Sequence, residues 1–473
     1  MSTQEHMAEG FSDNVEETAL PLLKSERTWG GWDLLVVLAV AAAATWCYVI
    51  GEYVGYYLNL EMGIAAMTAG SMIGMLLVTI AVVPIATKFG IDSIKGSIPQ
   101  FGSRGWIITV ALQYLSIIGW NSILLIFFAK SVRQLFDTLG YVPDGGGQWL
   151  IPVSTLVACA VVFFILRQGS RGIEKVSKVL FFVIVGLGLW MIWELLTQKS
   201  AELVAAEPAY ASDSMLWNYT TGIEIGIVSL LSWWPYIGAM VRVGSSAHKA
   251  TLPSMLGMGL PVPILSIIGL AAILALQTAD PSAWLVQLGG PIYGVIALIF
   301  VIAANFGTAV IGVYASSLGV KQVPGISEMK WKTTLLVSLI PVAFVGAVIP
   351  ELFFSSFGTF LALIGVFFAP LCAIQITDYF FLRGQKVSIR SIYDDSPRSD
   401  YAYWGGFNIA AIVAMAAGFG TYWYLLHPLT YASHWPYQFV TASLPTALVG
   451  GLVYYAVTKL LVQPAGKGGY ERA

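Results

Sequence analysis

Trp120 and Asn121 stand together near the middle of a long apolar stretch, with Gln113 seven residues before Trp120. A tryptophan face can stack on a planar ring, and the Gln113 carboxamide offers that ring's edge both a donor and an acceptor. A second apolar stretch has Asn305-Phe306-Gly307-Thr308 at its middle. Thr308 presents a neutral oxygen to a cation, and Gly307 permits close backbone approach. Each has a plainer account as well. The tryptophan can be ordinary core, and the threonine can bond back to its own helix.

Glu52 and Glu224 also fall inside apolar stretches. Carboxylates there are costly and tend to serve ion or proton movement. At a rise of about 1.5 Å per residue, Glu52 lies roughly 10 Å outward from the middle of its helix. It is the candidate proton-coupling group, and hydration or pairing with Lys130 or Arg133 is the competing account. Asp378 and Arg383 read as an anchoring pair at the end of a span.

Other chemistries lack their residues. Cys47, Cys159 and Cys372 are odd in number, have no CxxC spacing and read as small buried apolar side chains. None of the four histidines falls mid-span. The chain has no Walker loop, GxSxG or HExxH, so neither an ATP-driven pump nor an intramembrane protease is indicated. No cofactor is expected, and the chain reads as something other than an enzyme.

These residues are carried by about a dozen apolar segments, each of the roughly 20 residues a bilayer span needs. Hydrophobic residues make up 57% of the 473, charged residues only 11%, and the mean hydropathy is +0.76. A soluble domain cannot hide that much apolar surface, whereas a bilayer accepts it in helical form. The spans read as 32–58, 64–87, 106–136, 150–166, 178–197, 216–240, 252–277, 290–318, 333–349, 353–382, 404–427 and 436–462. With the N-terminus inside, all but Lys130, Arg133 and Lys199 of the 24 Lys and Arg fall on cytoplasmic segments. Both termini are therefore expected in the cytoplasm, in the cell membrane. Residues 1–28, with Glu5, Glu9, Asp13, Glu16 and Glu17, read as a disordered tail. No signal peptide precedes the first span, which is expected to direct its own insertion.

Two spans are built to break. In the first, Ala41-Ala42-Ala43-Ala44 precedes Thr45-Trp46. In the sixth, Pro235 interrupts the apolar run from Ser229 to Gly238. Proline removes an amide donor and clashes with the preceding turn. Transporters with inverted repeats interrupt helices near the midplane to expose backbone groups for ions or substrate. The two interruptions lie five spans apart, and spans 1–5 run opposite to spans 6–10. The expected units are a first repeat over 29–199 and a second over 214–383. A cytoplasmic loop (384–403), two added helices (404–462) and a C-terminal tail (463–473) follow.

Several motifs resemble those of the nucleobase:cation symporter-1 family, the purine-cytosine, allantoin and hydantoin permease type. Pro370-x7-Asp378-Tyr379-Phe380-x2-Arg383 and Tyr403-Trp404-Gly405-Gly406-Phe407-Asn408 are the most specific. Ile118-Gly119-Trp120, Met240-Val241-Arg242, Asn305-Phe306-Gly307-Thr308 and Tyr314-Ala315-Ser316-Ser317-Leu318-Gly319 add weaker support. The resemblance implies an all-α membrane protein of 12 helices: a leucine-transporter-type 5+5 inverted repeat plus two C-terminal helices. It implies sodium- or proton-coupled uptake by alternating access. In it Trp120 looks like the aromatic that stacks on the heterocycle, and Ser229 matches a substrate-facing position. Thr308 looks like a hydroxyl of the cation site, completed by backbone carbonyls near Ala41 and Ala44. The departures are Leu230 for an aromatic beside Ser229, with Trp233 and Trp234 a turn on, and Gly307 for the other cation hydroxyl. Ala309 and Val313 stand where asparagines often follow the threonine, and Ile117 where a glutamine is usual.

The sequence thus reads as a cation-coupled symporter for a nucleobase or related small nitrogen heterocycle, working as a monomer among membrane lipids, without nucleic acid. Trp120 stacks on the ring, Ser229, Asn305 and Gln113 read its edges, and Trp233 adds an aromatic wall. Thr308 favours sodium, and Glu52 keeps proton coupling in play. Rival readings are a transporter-like receptor, a channel, or a symporter for a vitamin precursor or amino-acid-like substrate.

Overall fold

The computed structural model describes residues 20–143, 146–167, 173–321, 323 and 329–470. Glu5, Glu9, Asp13, Glu16, Glu17, Arg171 and Arg472 lie outside them. The described chain is helical, with only isolated bridge pairs such as Trp29–Gly244.

The main helices are α1 (Gly31–Ala42), α2 (Trp46–Gly55), α3 (Leu60–Phe89), α4 (Ser93–Phe101), α5 (Ile107–Thr138), α6 (Leu150–Leu166) and α7 (Ile173–Gln198). They continue with α8 (Met215–Leu231), α9 (Trp234–Val241), α10 (Ala247–Leu276), α11 (Pro281–Lys321) and α12 (Trp331–Val348). The last are α13 (Phe357–Leu382), α14 (Ile409–Leu425) and α15 (Ser443–Val462). Among the described residues, seven helices are long and apolar enough to cross a membrane. Two bent pairs, α1–α2 and α8–α9, pass the same test, and α6, α14 and Ile184–Gln198 of α7 are shorter apolar helices.

Both anticipated breaks are present. Helix α1 stops where Ala43 leaves helical geometry (φ −76°, ψ 89°), and α2 restarts at Trp46 with a 69° bend. Helices α8 and α9 meet at 46° across Ser232 and Trp233. Pro235 sits in the first turn of α9, where its missing N–H leaves no helical bond unmade.

Some boundaries differ from the sequence reading because backbone geometry intervenes. Span 10 starts at Phe357, after a separate short helix Pro350–Ser355. Span 12 starts at Ser443, because Thr441 (φ 64°) ends the short helix Tyr437–Val440. Residues 404–408 form a loop before α14, whose first turn is capped by the Asn408 side chain accepting from the Ala410 N–H at 3.1 Å.

Helix α5 packs along α11, α3 along α8, and α2 against α10. In the last pair, a Cβ on Gly51 or Gly269 would come 1.8 Å from a carbonyl oxygen of the other helix, so the two backbones touch. Small residues allow such contact where lipid gives no hydrophobic drive between helices.

The described stretches near both ends of the chain are held on the basic side. Within the stretch expected as a disordered tail, the Leu22 N–H bonds the Gly90 carbonyl at 3.0 Å. Arg27 donates to the carbonyls of Thr87 and Lys88 at 2.8 and 2.7 Å. Near the C-terminus, Arg383 pairs with Asp378 at 2.6 Å and donates to the Gly468 carbonyl. The Tyr470 hydroxyl donates to the same Asp378 at 2.7 Å. Asp378 and Arg383 are buried, so their charges are supported by one another and by these hydrogen bonds.

Candidate substrate and cation site

Both helix breaks open onto one cavity of about 530 Å³. The first break contributes Ala41, Ala43, Ala44 and Trp46, and the second contributes Ser232, Trp233, Pro235 and Tyr236. Helix α5 supplies Gln113, Trp120, Asn121 and Leu124; α11 faces it with Thr308, Ile311, Gly312, Ala315, Leu318 and Gly319. A cavity of this size, mostly apolar with a few polar groups, has the form of a small-molecule site.

Aromatic rings line one end. The Trp46 ring meets Trp120 edge-on at 5.0 Å and lies 5.9 Å from Trp233, which in turn is 5.2 Å from Tyr236. Phe357 and Phe360 hold Trp120 by edge contacts at 5.4 and 5.7 Å. Such pairs contribute about 0.5–1.5 kcal/mol beyond their buried area, which fixes the tryptophan plane. Behind Trp120, the Tyr53 ring lies 5.9 Å from that of Phe357, its hydroxyl donating to the Ser355 carbonyl at 3.3 Å. At the opposite end the lining runs to Asp92, Met240 and Arg242. The lining therefore runs from the tryptophans to the basic side. Beside that mouth, burial lowers the Lys95 pKa, and its ammonium lies over the rings of Trp106 and Tyr393 at 4.9 and 5.4 Å.

The candidates named from sequence divide into two sets. Trp120, Trp233, Gln113, Thr308, Ala41 and Ala44 line the cavity together. The Thr308 hydroxyl donates to the Ala304 carbonyl at 2.9 Å, which leaves its oxygen lone pairs available to a cation. Among the described residues there is no cluster of three or more His, Cys, Asp and Glu that could hold a metal ion.

Ser229, Asn305 and Glu52 are outside the lining. Ser229 is fully buried, and its hydroxyl donates to the Gly226 carbonyl of its own helix at 2.8 Å. The Asn305 carboxamide oxygen accepts from the Thr45 hydroxyl, so this residue joins α11 to the first break. Glu52 is buried on α2 and accepts from the Tyr56 hydroxyl at 2.6 Å, while its second oxygen has no partner. The basic residues suggested for it are engaged elsewhere. Lys130 pairs with Glu351 at 3.0 Å and Asp280 at 3.8 Å, and Arg133 donates to the Gly146 carbonyl. Glu224 accepts from the backbone N–H groups of Ala442 and Ser443, holding the positive end of α15.

Trp46, Tyr236 and Asn121 belong to the wall without having been assigned a role from sequence. For Asn121, its place beside Trp120 was the available signal. Trp46 and Tyr236 become wall residues through the bends that precede them.

Comparison with known proteins fits this geometry. The family model described as permease for cytosine/purines, uracil, thiamine, allantoin matches residues 21–423. A purine-uracil permease of Arabidopsis thaliana is 22% identical over 420 residues, covering 84% of this chain and 69% of that protein. A putative purine-cytosine permease of Bacillus subtilis is 25% identical over 354 residues, covering 71% and 72%. The solved structure of Mhp1 in its inward-facing conformation shares the fold, with a TM-score of 0.76 at 18% identity and coverage of 96% and 97%. These relatives are permeases rather than enzymes, and the fold is that of a multi-pass membrane transporter. With the match spanning most of its length, the chain belongs to the family of permeases for cytosine and purines, uracil, thiamine and allantoin.

Proposed function

We propose that this permease is a cation-coupled symporter carrying a nucleobase or related small planar nitrogen heterocycle into the cell. The observation that carries the reading is the single cavity at both helix breaks, with Trp46, Trp120 and Trp233 at one end and Thr308 beside Ala41 and Ala44. The ring stacks on Trp120, Trp233 closes the opposite wall, and Gln113 offers a carboxamide nearer the mouth. The names of the relatives, which include a hydantoin permease, support a heterocyclic substrate.

In this reading the chain crosses the cytoplasmic membrane twelve times as a 5+5 inverted repeat with two added helices. The basic side faces the cytoplasm, as Lys and Arg excess on short loops does generally. The cavity of this structure then opens inward, with Tyr53, Phe357 and Phe360 packed behind Trp120. Ser229 shapes the second break from inside its helix, and Asn305 holds the first break in place.

Sodium is the coupling ion of choice, bound by the Thr308 hydroxyl and backbone carbonyls at Ala41 and Ala44. A second reading, proton coupling through Glu52, is favoured by the unpartnered oxygen of that buried carboxyl. Thermal-shift measurements on purified protein test the whole proposal. Nucleobases, hydantoin, allantoin and thiamine are each added with and without sodium. Stabilisation by a heterocycle that grows with sodium is expected. Stabilisation by amino acids alone would replace the substrate class.

A further inference from the structure

Asn121 is buried at 2% exposure, lines the cavity beside Trp120, and receives no hydrogen bond from any described residue. Its carboxamide opens onto the cavity with its bonding capacity unspent inside the protein, so a ligand that enters and displaces water there can bond it. Its position is fixed by a notch in the facing helix. A Cβ on Gly312 of α11 would come 2.1 Å from the Asn121 carboxamide oxygen, so any larger residue there would push the carboxamide from this position. The same arrangement recurs lower in the antiparallel pair. There a Cβ on Gly319 would come 2.9 Å from the Gln113 carboxamide nitrogen, and the Gln113 oxygen is buried without a partner.

The two carboxamides are eight residues apart on α5, about 12 Å along the helix axis. One ring system cannot touch both. A ring stacked on Trp120 reaches Asn121, and it meets Gln113 only on its way to the mouth. Formal charge is confined to that mouth, where Asp92 and Arg242 stand. Around Trp120 a charged ring would lose hydration without a charged partner.

We infer that Asn121, seated against Gly312, reads the ligand's edge and selects an uncharged ring carrying an N–H beside a carbonyl. This rests on the symporter reading above. A carboxamide presents one acceptor and one donor side by side, which pairs with such an edge through two hydrogen bonds. An analogue lacking the edge leaves the carboxamide buried and unpaired, and sites of that kind reject it strongly.

The test is equilibrium binding to purified full-length protein with sodium present. The probes are uracil, hydantoin and allantoin, N-methylated counterparts of uracil and hydantoin, adenine and thiamine. The native protein is expected to prefer at least one N–H/carbonyl ring over its N-methylated form by about tenfold or more. Asn121→Leu should erase that preference while binding still depends on Trp120. Gly312→Ala, which displaces the carboxamide, should reduce it. Asn121→Asp keeps the shape but removes the donor; it should weaken the same rings and serves if Asn121→Leu fails to fold. An unchanged preference in a folded Asn121 variant overturns the assignment and leaves the symporter reading standing. Tighter binding of thiamine or adenine overturns the ligand class. Failure of every probe to bind the native protein overturns the symporter reading itself.

Discussion

The Thr45 hydroxyl, in the break between α1 and α2, donates to the carboxamide oxygen of Asn305 in the middle of α11. The two residues are 260 positions apart, and both are buried. Thr45 adjoins Ala44, and Asn305 stands one turn before Thr308, so the bond ties together the two elements that flank the proposed ion. Asn305→Ala should cost about 1–3 kcal/mol, because it leaves a buried hydroxyl unpaired. Thr45→Val should cost a similar amount, and the double variant less than the sum. Chemical denaturation in detergent measures the cycle, and strict additivity would show that the contact contributes nothing.

Trp120 carries the stacking proposal. Base–aromatic stacking is worth about 1–3 kcal/mol by alanine substitution. Trp120→Ala should therefore weaken substrate binding roughly ten- to more than a hundredfold. Trp120→Phe should keep part of the affinity. Unchanged affinity in a folded Trp120→Ala protein would return the residue to core packing against Phe357 and Phe360.

Coupling is decided by two residues in different places. Thr308 lies on the cavity wall, and Glu52 is buried on α2 outside it. Uptake into proteoliposomes should require external sodium, Thr308→Ala should lose that requirement, and Glu52→Gln should keep it. Uptake indifferent to sodium, abolished by a proton uncoupler at clamped potential and absent in Glu52→Gln, would assign coupling to the carboxyl instead.

Orientation follows from loop charge and is checked by labelling in a background free of Cys47, Cys159 and Cys372. Tyr141→Cys, at an exposed position, should react with an impermeant thiol reagent from outside cells. Ser396→Cys, also exposed, should react only after the membrane is opened. The reverse pattern would invert the topology.

What the sequence determined by itself was whatever depends on neighbours along the chain. A run of apolar residues long enough for a bilayer is a local property, as is the one-sided placement of Lys and Arg. The second break was legible for the same reason, since Pro235 acts on its own turn, whereas the alanine run before Thr45 only marks where small residues let the first helix open. The family motifs were legible too, at Asp378–Arg383 and Tyr403–Asn408. The facing of each side chain was not. Ser229 turns into its own helix, and Glu224 holds the start of α15 more than 200 residues away. Lys130 chooses Glu351 and Asp280 rather than a carboxylate on the first span. Helices apolar all round carry little periodic signal to set their rotation, since lipid and core accept the same residues. Only the packed bundle decides which small polar groups face the cavity, and it chose Asn121 opposite Gly312 rather than Asn305, about two turns before that glycine on α11.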